Sequence, residues 1–260
     1  MDLATFERIN RTERSARAYL LDKNTHAVCP RCTSRRSYLL KCGRRRCASC
    51  RYTFHALTGR WLNHGAFSSR QWLRAVKLFE LDVAAGPAAA QLGVTYKTAH
   101  RAFTTIRRAI AARSPNAVGL LAHASEWIFG YRTEGLRTVL RVVAPGDVER
   151  IATTRLSGVA AGPLALTGPY RRWHGLILQR RHLPTLGLHV SALPQAGCGG
   201  FRGYVAERVR RYRGISERHL PLYLMEMEFR FNLRGGDLFE AVVAHLRMAV
   251  PSWTEDATAL

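Results

Sequence analysis

Five of the six cysteines lie close together between residues 29 and 50, and four of them form two CxxC pairs. The first pair is Cys29 and Cys32, and the second, after fourteen intervening residues, is Cys47 and Cys50. Two such pairs on either side of a hairpin-sized spacer can supply four thiolates in a tetrahedral array, as in structural zinc sites. The spacing therefore predicts a zinc ribbon. Cys42 lies on the intervening turn and could replace Cys47, although that choice would break the symmetry of the pairs.

The expected role of this metal is structural. Clustered cysteines in a reducing compartment indicate metal binding rather than disulfides, and no βαβ pattern of the thioredoxin-like kind surrounds either pair. A site closed by four thiolates has no open position for a substrate. Zinc is therefore predicted to hold together a segment that has too few apolar residues to fold alone.

The charge of the chain indicates a polyanionic partner. Lys and Arg number 40 against 18 Asp and Glu, which gives a formal net charge of +22 and a pI of about 11.0. Between Lys23 and Ser125 there are 18 basic residues and two acids, so most of the excess positive charge lies in this stretch. Nucleic acid is favoured over a membrane, because the chain has no apolar run of about 18 residues and no lipidation motif. The predicted phosphate contacts in the ribbon are Arg35, Arg36, Arg44, Arg45, Arg46 and Arg51.

Residues 84–112 have the pattern of a helix-turn-helix. An Ala-rich helix with Pro87 as its first residue is followed by Gly93, which suits a left-handed turn, and by Thr95, which suits the cap of a longer helix. Apolar residues of both helices would pack the pair together. A polar face remains at the start of the second helix, where a recognition helix meets the major groove. The residues predicted to contact DNA there are Thr95, Tyr96, Lys97, His100 and Arg101.

The remaining elements follow from hydrophobic spacing and turn residues. One helix is expected over 2–21, and consecutive helices over 68–113 begin at a cap formed by Ser68 or Ser69. Further on, strands are expected at 126–131 and 136–144, and helices at 219–233 and 237–249, the last capped by Asp237. The opening residues lack an apolar signal core, so we expect a cytoplasmic, nucleoid-associated protein.

Three sequence blocks occur one after another along the chain, and their combination is a more specific signal than any single block. They are Cys29-Pro-x-Cys32 with Cys47-x-x-Cys50-Arg51-x-x-Phe54, then Leu92-Gly93-Val94-Thr95-Tyr96-Lys97-Thr98-Ala99, and finally Ser216-x-x-His219-Leu220-x-x-Tyr223-Leu224-x-Glu226-x-x-Phe229-Arg230-x-Asn232. This pattern resembles the insertion-sequence transposases of the 1595 family. The resemblance implies a zinc ribbon, a helix-turn-helix and an RNase H-like DDE nuclease domain. It is strong over 26–113, good over 210–246 and poor over 119–200.

The carboxylates that the resemblance implies are missing. DDE nucleases hold two magnesium ions with converging acids, yet Ala124 occupies the first acidic position, Gly168 lies near the second and Cys198 near the third. No Asp or Glu occurs between Glu149 and Glu207. We therefore expect no catalytic residues and no magnesium, and a degenerate domain kept for packing, dimerisation or additional DNA contact.

The sequence thus predicts an α+β multidomain protein. Its first two modules are a zinc ribbon and a helix-turn-helix, and its third is a degenerate RNase H-like α/β domain. The predicted boundaries are 1–25 for an N-terminal helix, 26–64 for the ribbon, 65–114 for the helix-turn-helix module, 115–252 for the transposase-like domain and 253–260 for a tail.

The expected function is that of a transposase-like, zinc-containing protein that binds double-stranded DNA without cutting it. We expect a homo-oligomer, a dimer, that regulates or shapes DNA or works beside a partner nuclease or another DNA-processing protein. An active transposase is the enzymatic alternative, with acids displaced to Glu126, Glu134, Asp147 and Glu207. A third alternative is an RNA-binding component, which the helix-turn-helix disfavours because a helix cannot read the deep, narrow major groove of A-form RNA.

Overall fold

The computed structural model describes residues 1–21, 28–63, 67–114, 128–134, 137–143, 175–177, 200–211, 215 and 219–251. In these ranges the chain mixes helices with small antiparallel sheets, as the predicted α+β class requires. It divides into two compact units: unit 1 is Met1–Ala109 with Asp237–Glu255, and unit 2 is Ile110–Gly236 with Asp256–Leu260. None of the helices within the described ranges is long and apolar enough to cross a membrane.

Two short helices open unit 1 where the sequence predicted one. They are α1 (Leu3–Ile9) and α2 (Glu13–Leu21). Just before α2, the Thr12 hydroxyl accepts the Ser15 N–H at 3.0 Å, and the Ser15 hydroxyl accepts the Thr12 N–H at 3.0 Å. This reciprocal cap satisfies backbone donors locally, so it starts a new helix and interrupts the predicted continuous one.

The cysteine region folds as the predicted small hairpins. Its three strands are β1 (Ser37–Leu39), β2 (Arg45–Cys47) and β3 (Thr53–Phe54), which pair antiparallel in that order. Gly43 has φ 75°, a left-handed conformation that glycine adopts readily, in the turn between β1 and β2. A 3-10 helix, Trp61–Asn63, follows the ribbon.

Three helices form the predicted helical module: α3 (Ser69–Glu80), α4 (Ala85–Leu92) and α5 (Tyr96–Ala111). Ser68 caps α3 in a capping box with Gln71, which confirms one of the two predicted caps. Trp72, Val76 and Phe79 are buried on one face of α3, as their spacing predicted. The Phe79 ring meets the Phe103 ring of α5 edge-on, with the centroids 5.6 Å apart.

Unit 2 contains a three-stranded antiparallel sheet and two described helices. The strands β4 (Ile128–Glu134), β5 (Arg137–Val143) and β6 (Gly175–Ile177) lie in the order β5-β4-β6, and the first two overlap the predicted strands. The helices are α6 (Gly200–Arg211) and α7 (Leu220–Asn232). The core of unit 2 includes Leu140, Phe201, Val205, Leu222, Leu224, Met225 and Met227. The RNase H-like topology of this region stays a prediction.

The last helix, α8 (Leu238–Leu246), belongs to unit 1, whereas the sequence placed it in the transposase-like domain. The predicted cap is present, because the Asp237 carboxylate accepts the Glu240 N–H at 3.0 Å. Phe239 is fully buried, and its ring centroid lies 5.9 Å from that of Phe6. These contacts place α8 in the core of unit 1, and the predicted domain boundaries stay a prediction. An apolar helix face indicates that a helix is buried, but it does not indicate which core the helix joins.

The segment after α8 is bonded to the end of the ribbon and to α2. The Val250 N–H donates to the Gly59 carbonyl at 2.8 Å, and the Arg60 guanidinium donates to the Arg247 carbonyl. Arg247 in turn donates to the carbonyls of Tyr19 and Leu20. Unit 1 is thus closed by residues from both ends of the described chain.

Candidate metal centre and nucleic-acid interface

The four predicted zinc ligands converge on one point. Their Sγ atoms all lie within 4.8 Å of one another, and the Cys29–Cys50 and Cys32–Cys47 Sγ pairs are each 3.5 Å apart. Tetrahedral zinc with Zn–S bonds of about 2.3 Å needs sulfurs about 3.8 Å apart, so the array fits the metal. Cys42 is exposed and does not belong to this group. The structure therefore groups Cys47, and not Cys42, with the other three.

Two matched turns position the thiols. The Thr33 N–H donates to the Cys29 carbonyl at 2.9 Å, and the Arg51 N–H donates to the Cys47 carbonyl at 3.2 Å. Both donors have a left-handed backbone, with φ 56° at Thr33 and φ 61° at Arg51. Non-glycine residues adopt this conformation at a cost, which a bound metal would offset by fixing both turns.

The electrostatics of the thiols also suit a cation. Backbone N–H groups, first that of Cys50, lower the pKa of the Cys47 thiol to about 6. The N–H of Ser34 favours the Cys32 thiolate, but the side chains of Cys50 and Cys47 outweigh it and raise the pKa of Cys32 to about 12. Four crowded sulfurs do not all ionise without a counter-charge, and a divalent zinc ion supplies it.

The predicted phosphate contacts of the ribbon fall into two groups. Arg45 is half-buried, and its guanidinium donates to the Ser37 hydroxyl at 3.0 Å and to the Ser37 carbonyl at 3.2 Å, so it braces β1 against β2. The other predicted arginines are exposed, in a segment, 28–63, whose sequence holds nine basic residues and no acid. One of them, Arg46, also donates from Nε to the Arg51 carbonyl at 3.3 Å. These exposed residues are Arg35, Arg36, Arg44, Arg46 and Arg51.

Strand register separates the two faces of the ribbon sheet. Tyr38 pairs with Arg46, which pairs with Thr53, so these three side chains form a row on one face. All three are exposed, whereas Cys47 and Phe54 on the opposite face are buried with the metal ligands. One face of the sheet thus covers the four-cysteine cluster, and the other is an aromatic and cationic surface.

The turn between α4 and α5 has the predicted chemistry. Gly93 is left-handed at φ 64°, and the Val94 N–H donates to the Ala89 carbonyl at 3.0 Å, the bonding of a Schellman motif. The Thr95 hydroxyl accepts the Thr98 N–H at 3.3 Å and caps α5. One detail of the prediction is wrong, since α4 begins at Ala85 and Pro87 is its third residue.

The two faces of α5 differ as predicted. Ala99, Ala102 and Ile106 are buried against the other helices. The predicted DNA-contacting residues lie on the opposite side: Thr95, Tyr96, Lys97 and Arg101 are exposed, and His100 is half-buried. These five side chains lie at the start of α5, a helix whose sequence contains no acid.

His100 differs from its neighbours on this face. Its ring lies 5.8 Å from that of Tyr96, centroid to centroid, at an interplanar angle of 31°. Burial, and secondarily the charge of Arg107, lowers the pKa of His100. The lowered pKa favours the uncharged imidazole, which lies beside the Tyr96 ring.

The third block of the transposase resemblance has structural roles in unit 2. Arg230 Nε donates to Glu226 Oε1 at 2.7 Å, and both side chains are buried. The Asn232 amide bonds both backbone groups of Thr138, accepting its N–H at 2.7 Å and donating to its carbonyl at 2.6 Å. Sequence alone gave no sign of this pairing, because residues 138 and 232 lie far apart in the chain.

The alternative catalytic acids are only partly within the described residues. Glu126 and Asp147 lie outside them, and Glu134 is described by its backbone alone. Glu207 is exposed on α6. The positions of the missing acids, Ala124, Gly168 and Cys198, also lie outside the described ranges, so the dead-nuclease interpretation stays a prediction.

No protein-family model, curated protein or solved structure matches this chain at a significant level. The transposase resemblance therefore remains a prediction from motifs.

Proposed function

We propose that this chain is a zinc-containing, transposase-like protein that binds double-stranded DNA through unit 1 and does not cut DNA by itself. The observation that carries the proposal is the division of α5 into two faces. Tyr96 is 62% exposed at its first turn while Ala99 is fully buried. A short helix, a left-handed glycine and a longer helix with a basic N-terminal face are the elements with which helix-turn-helix proteins enter the major groove.

The proposal assigns different tasks to two parts of unit 1. Lys97 and Arg101 would read base edges, because long cationic side chains can reach the guanine acceptors of the major groove. Arg44 and Arg46 would contact phosphates, which adds affinity without sequence choice. Arg45 is left out of this role because it is half-buried and makes two bonds to Ser37, whereas Arg46 is exposed and makes one bond, through Nε, to the Arg51 carbonyl.

A salt titration tests the proposal. The affinity of the zinc-loaded chain for a fluorescent duplex two helical turns long is measured by anisotropy at increasing NaCl concentration. Each neutralised phosphate adds about 0.9 to the slope of log affinity against log salt, so we expect a slope steeper than about 2 in magnitude. A shallower slope would show that the positive charge is not a phosphate footprint.

Paired variants test the division of tasks. Lys97→Ala and Arg101→Ala should reduce the preference between duplexes of different sequence, by about 1–3 kcal/mol per lost base contact. Arg44→Ala and Arg46→Ala should weaken binding to all duplexes alike. Arg17→Ala, on the exposed side of α2, removes the same charge elsewhere and serves as control. The opposite pattern would assign sequence reading to the ribbon.

Two further measurements separate the alternatives. Duplex RNA of the same sequence should compete less well than DNA, because α5 cannot enter its deep major groove. Incubation of DNA with the protein and Mg²⁺ or Mn²⁺ should give neither nicks nor joined products. Cleavage that Glu126→Gln abolishes would instead identify an active nuclease with displaced acids.

A further inference from the structure

Unit 2 carries a cluster of two arginines and two aromatic rings. Arg208 and Tyr204 lie on α6, Phe231 lies on α7, and Arg234 follows the end of α7. The Arg234 guanidinium lies 3.6 Å from the centroid of the Phe231 ring and 5.1 Å from that of Tyr204. Arg208 approaches the same Tyr204 ring at 4.7 Å. Two guanidinium groups therefore contact the same ring, that of Tyr204. Tyr204 lies on α6, whose sequence holds four arginines and a single acid, Glu207.

The aromatic rings are themselves fixed by the core of unit 2. The Phe231 ring meets the Phe201 ring edge-on at 5.1 Å, and Phe201 is buried. Tyr204 and Phe231 are half-buried, and their centroids are 5.6 Å apart. The Arg234 side chain thus packs against two rings that the core holds in place. This packing restricts the rotamers of a side chain that is otherwise flexible.

The hydrogen-bond donors of Arg234 are available to a ligand. Arg234 is exposed, and among the described residues it makes no hydrogen bond or ion pair. Stacking occupies a face of the guanidinium plane and leaves the N–H groups along its edges unused. A planar fork of donors held in place matches the oxygens of a phosphate, which Arg can bind in a bidentate manner.

We propose that Arg234, held on the aromatic rings beside Arg208, forms a phosphate-binding site on unit 2 that contacts the backbone of bound nucleic acid. This inference rests on the proposed function, because it takes DNA as the source of the phosphate. It extends that function to unit 2, in which the carboxylates of a DDE nuclease are missing from the sequence. The α6–α7 surface would add affinity for DNA of any sequence and would not cut it.

The test compares Arg234→Ala with a charge-matched control in the full zinc-loaded chain. Arg137→Ala removes another exposed arginine of unit 2, which lies on β5 and outside the cluster. With the same fluorescent duplex, Arg234→Ala should weaken binding roughly five- to tenfold and lower the salt slope by about 0.9, whereas Arg137→Ala should change neither. Arg234→Lys keeps the charge but loses the planar fork, so we expect it to recover only part of the affinity.

The outcomes separate the site from the proposed function. Equal effects of Arg234→Ala and Arg137→Ala, or full recovery by Arg234→Lys, would overturn the site while DNA binding by unit 1 stands. A fall in the melting temperature of Arg234→Ala with an unchanged salt slope would mean that the stack only stabilises unit 2. A wild-type chain that does not bind the duplex would overturn both proposals.

Discussion

The ribbon and the helical part of unit 1 are stabilised by different means. In the ribbon, the buried cluster consists of Cys29, Cys47 and Phe54, with the other two ligand cysteines packed against it. The helices instead bury large apolar side chains, including Trp72 and Phe79. A fold with so few buried apolar groups depends on its metal, whereas a fold with an apolar core does not. The same unit should therefore contain a zinc-dependent part and a zinc-independent part.

The largest expected effect is that of removing the metal from the ribbon. Structural zinc contributes roughly 10–16 kcal/mol of binding free energy in zinc-finger peptides, so chelation or Cys47→Ser should unfold β1 to β3. Purified protein should contain one zinc per chain, and the variant should lose it, as measured by metal analysis. The helical signal in circular dichroism should persist, because α3 to α5 have their own core. Cys42→Ser is the matched control and should keep the metal; zinc retained in full by Cys47→Ser would contradict the prediction.

The next largest effect concerns the helical core. Phe239→Ala removes a fully buried ring that contacts Phe6 and Tyr19, and should lower the free energy of unfolding by about 3–5 kcal/mol. Chemical denaturation followed by helical circular dichroism measures this loss. The control is Met248→Ala, since Met248 is 46% exposed and should cost far less. Equal losses in the two variants would mean that α8 does not complete the core of unit 1.

A smaller effect is expected at the start of α5. Thr95→Ala removes the hydroxyl that accepts the Thr98 N–H, which should cost about 1 kcal/mol of stability. Thr95→Ser keeps the hydroxyl and should retain most of it. If both variants are as stable as the wild type, the cap does not hold the first turn of α5, and the exposed face there would need another support.

The smallest expected effect depends on pH. The Glu13 carboxylate accepts the N–H groups of Ser69 and Arg70 at 2.6 and 3.2 Å, at the start of α3. Burial opposes ionisation of Glu13, but these bonds outweigh it and lower its pKa. The stabilisation is therefore present above the ordinary pKa of a glutamate, about 4.3, and is lost as pH falls through the depressed value.

Glu13→Gln should consequently be less stable than wild type at pH 7, by about 0.5 kcal/mol, and the difference should shrink at acidic pH. Melting temperatures of the two proteins across this pH range give the measurement. Glu7→Gln, on the exposed surface of α1, is the control. A difference that grows as the pH falls would have the wrong sign for this carboxylate.

Local patterns in the sequence were enough to predict the four-cysteine cluster and the turn between α4 and α5. The CxxC spacing predicted the four clustered cysteines, and Gly93 and Thr95 predicted the turn and the cap, because each of these features depends on short-range spacing along the chain. Tertiary choices were not predictable in this way. The bonding of Arg45 to Ser37 depends on strand pairing, and the cluster around Arg234 depends on how α6 meets α7.

The composition of unit 1 from two separated segments has a consequence for synthesis of the chain on the ribosome. α8 follows the 127 residues from Ile110 to Gly236, which take roughly 6–25 s to translate at about 5–20 residues per second. Until α8 emerges, the pocket that receives Phe239 is open and the nascent helical module exposes apolar surface. Completion of the module is thereby coupled to translation of the intervening residues of unit 2, so a product that ended before α8 would lack a stable unit 1.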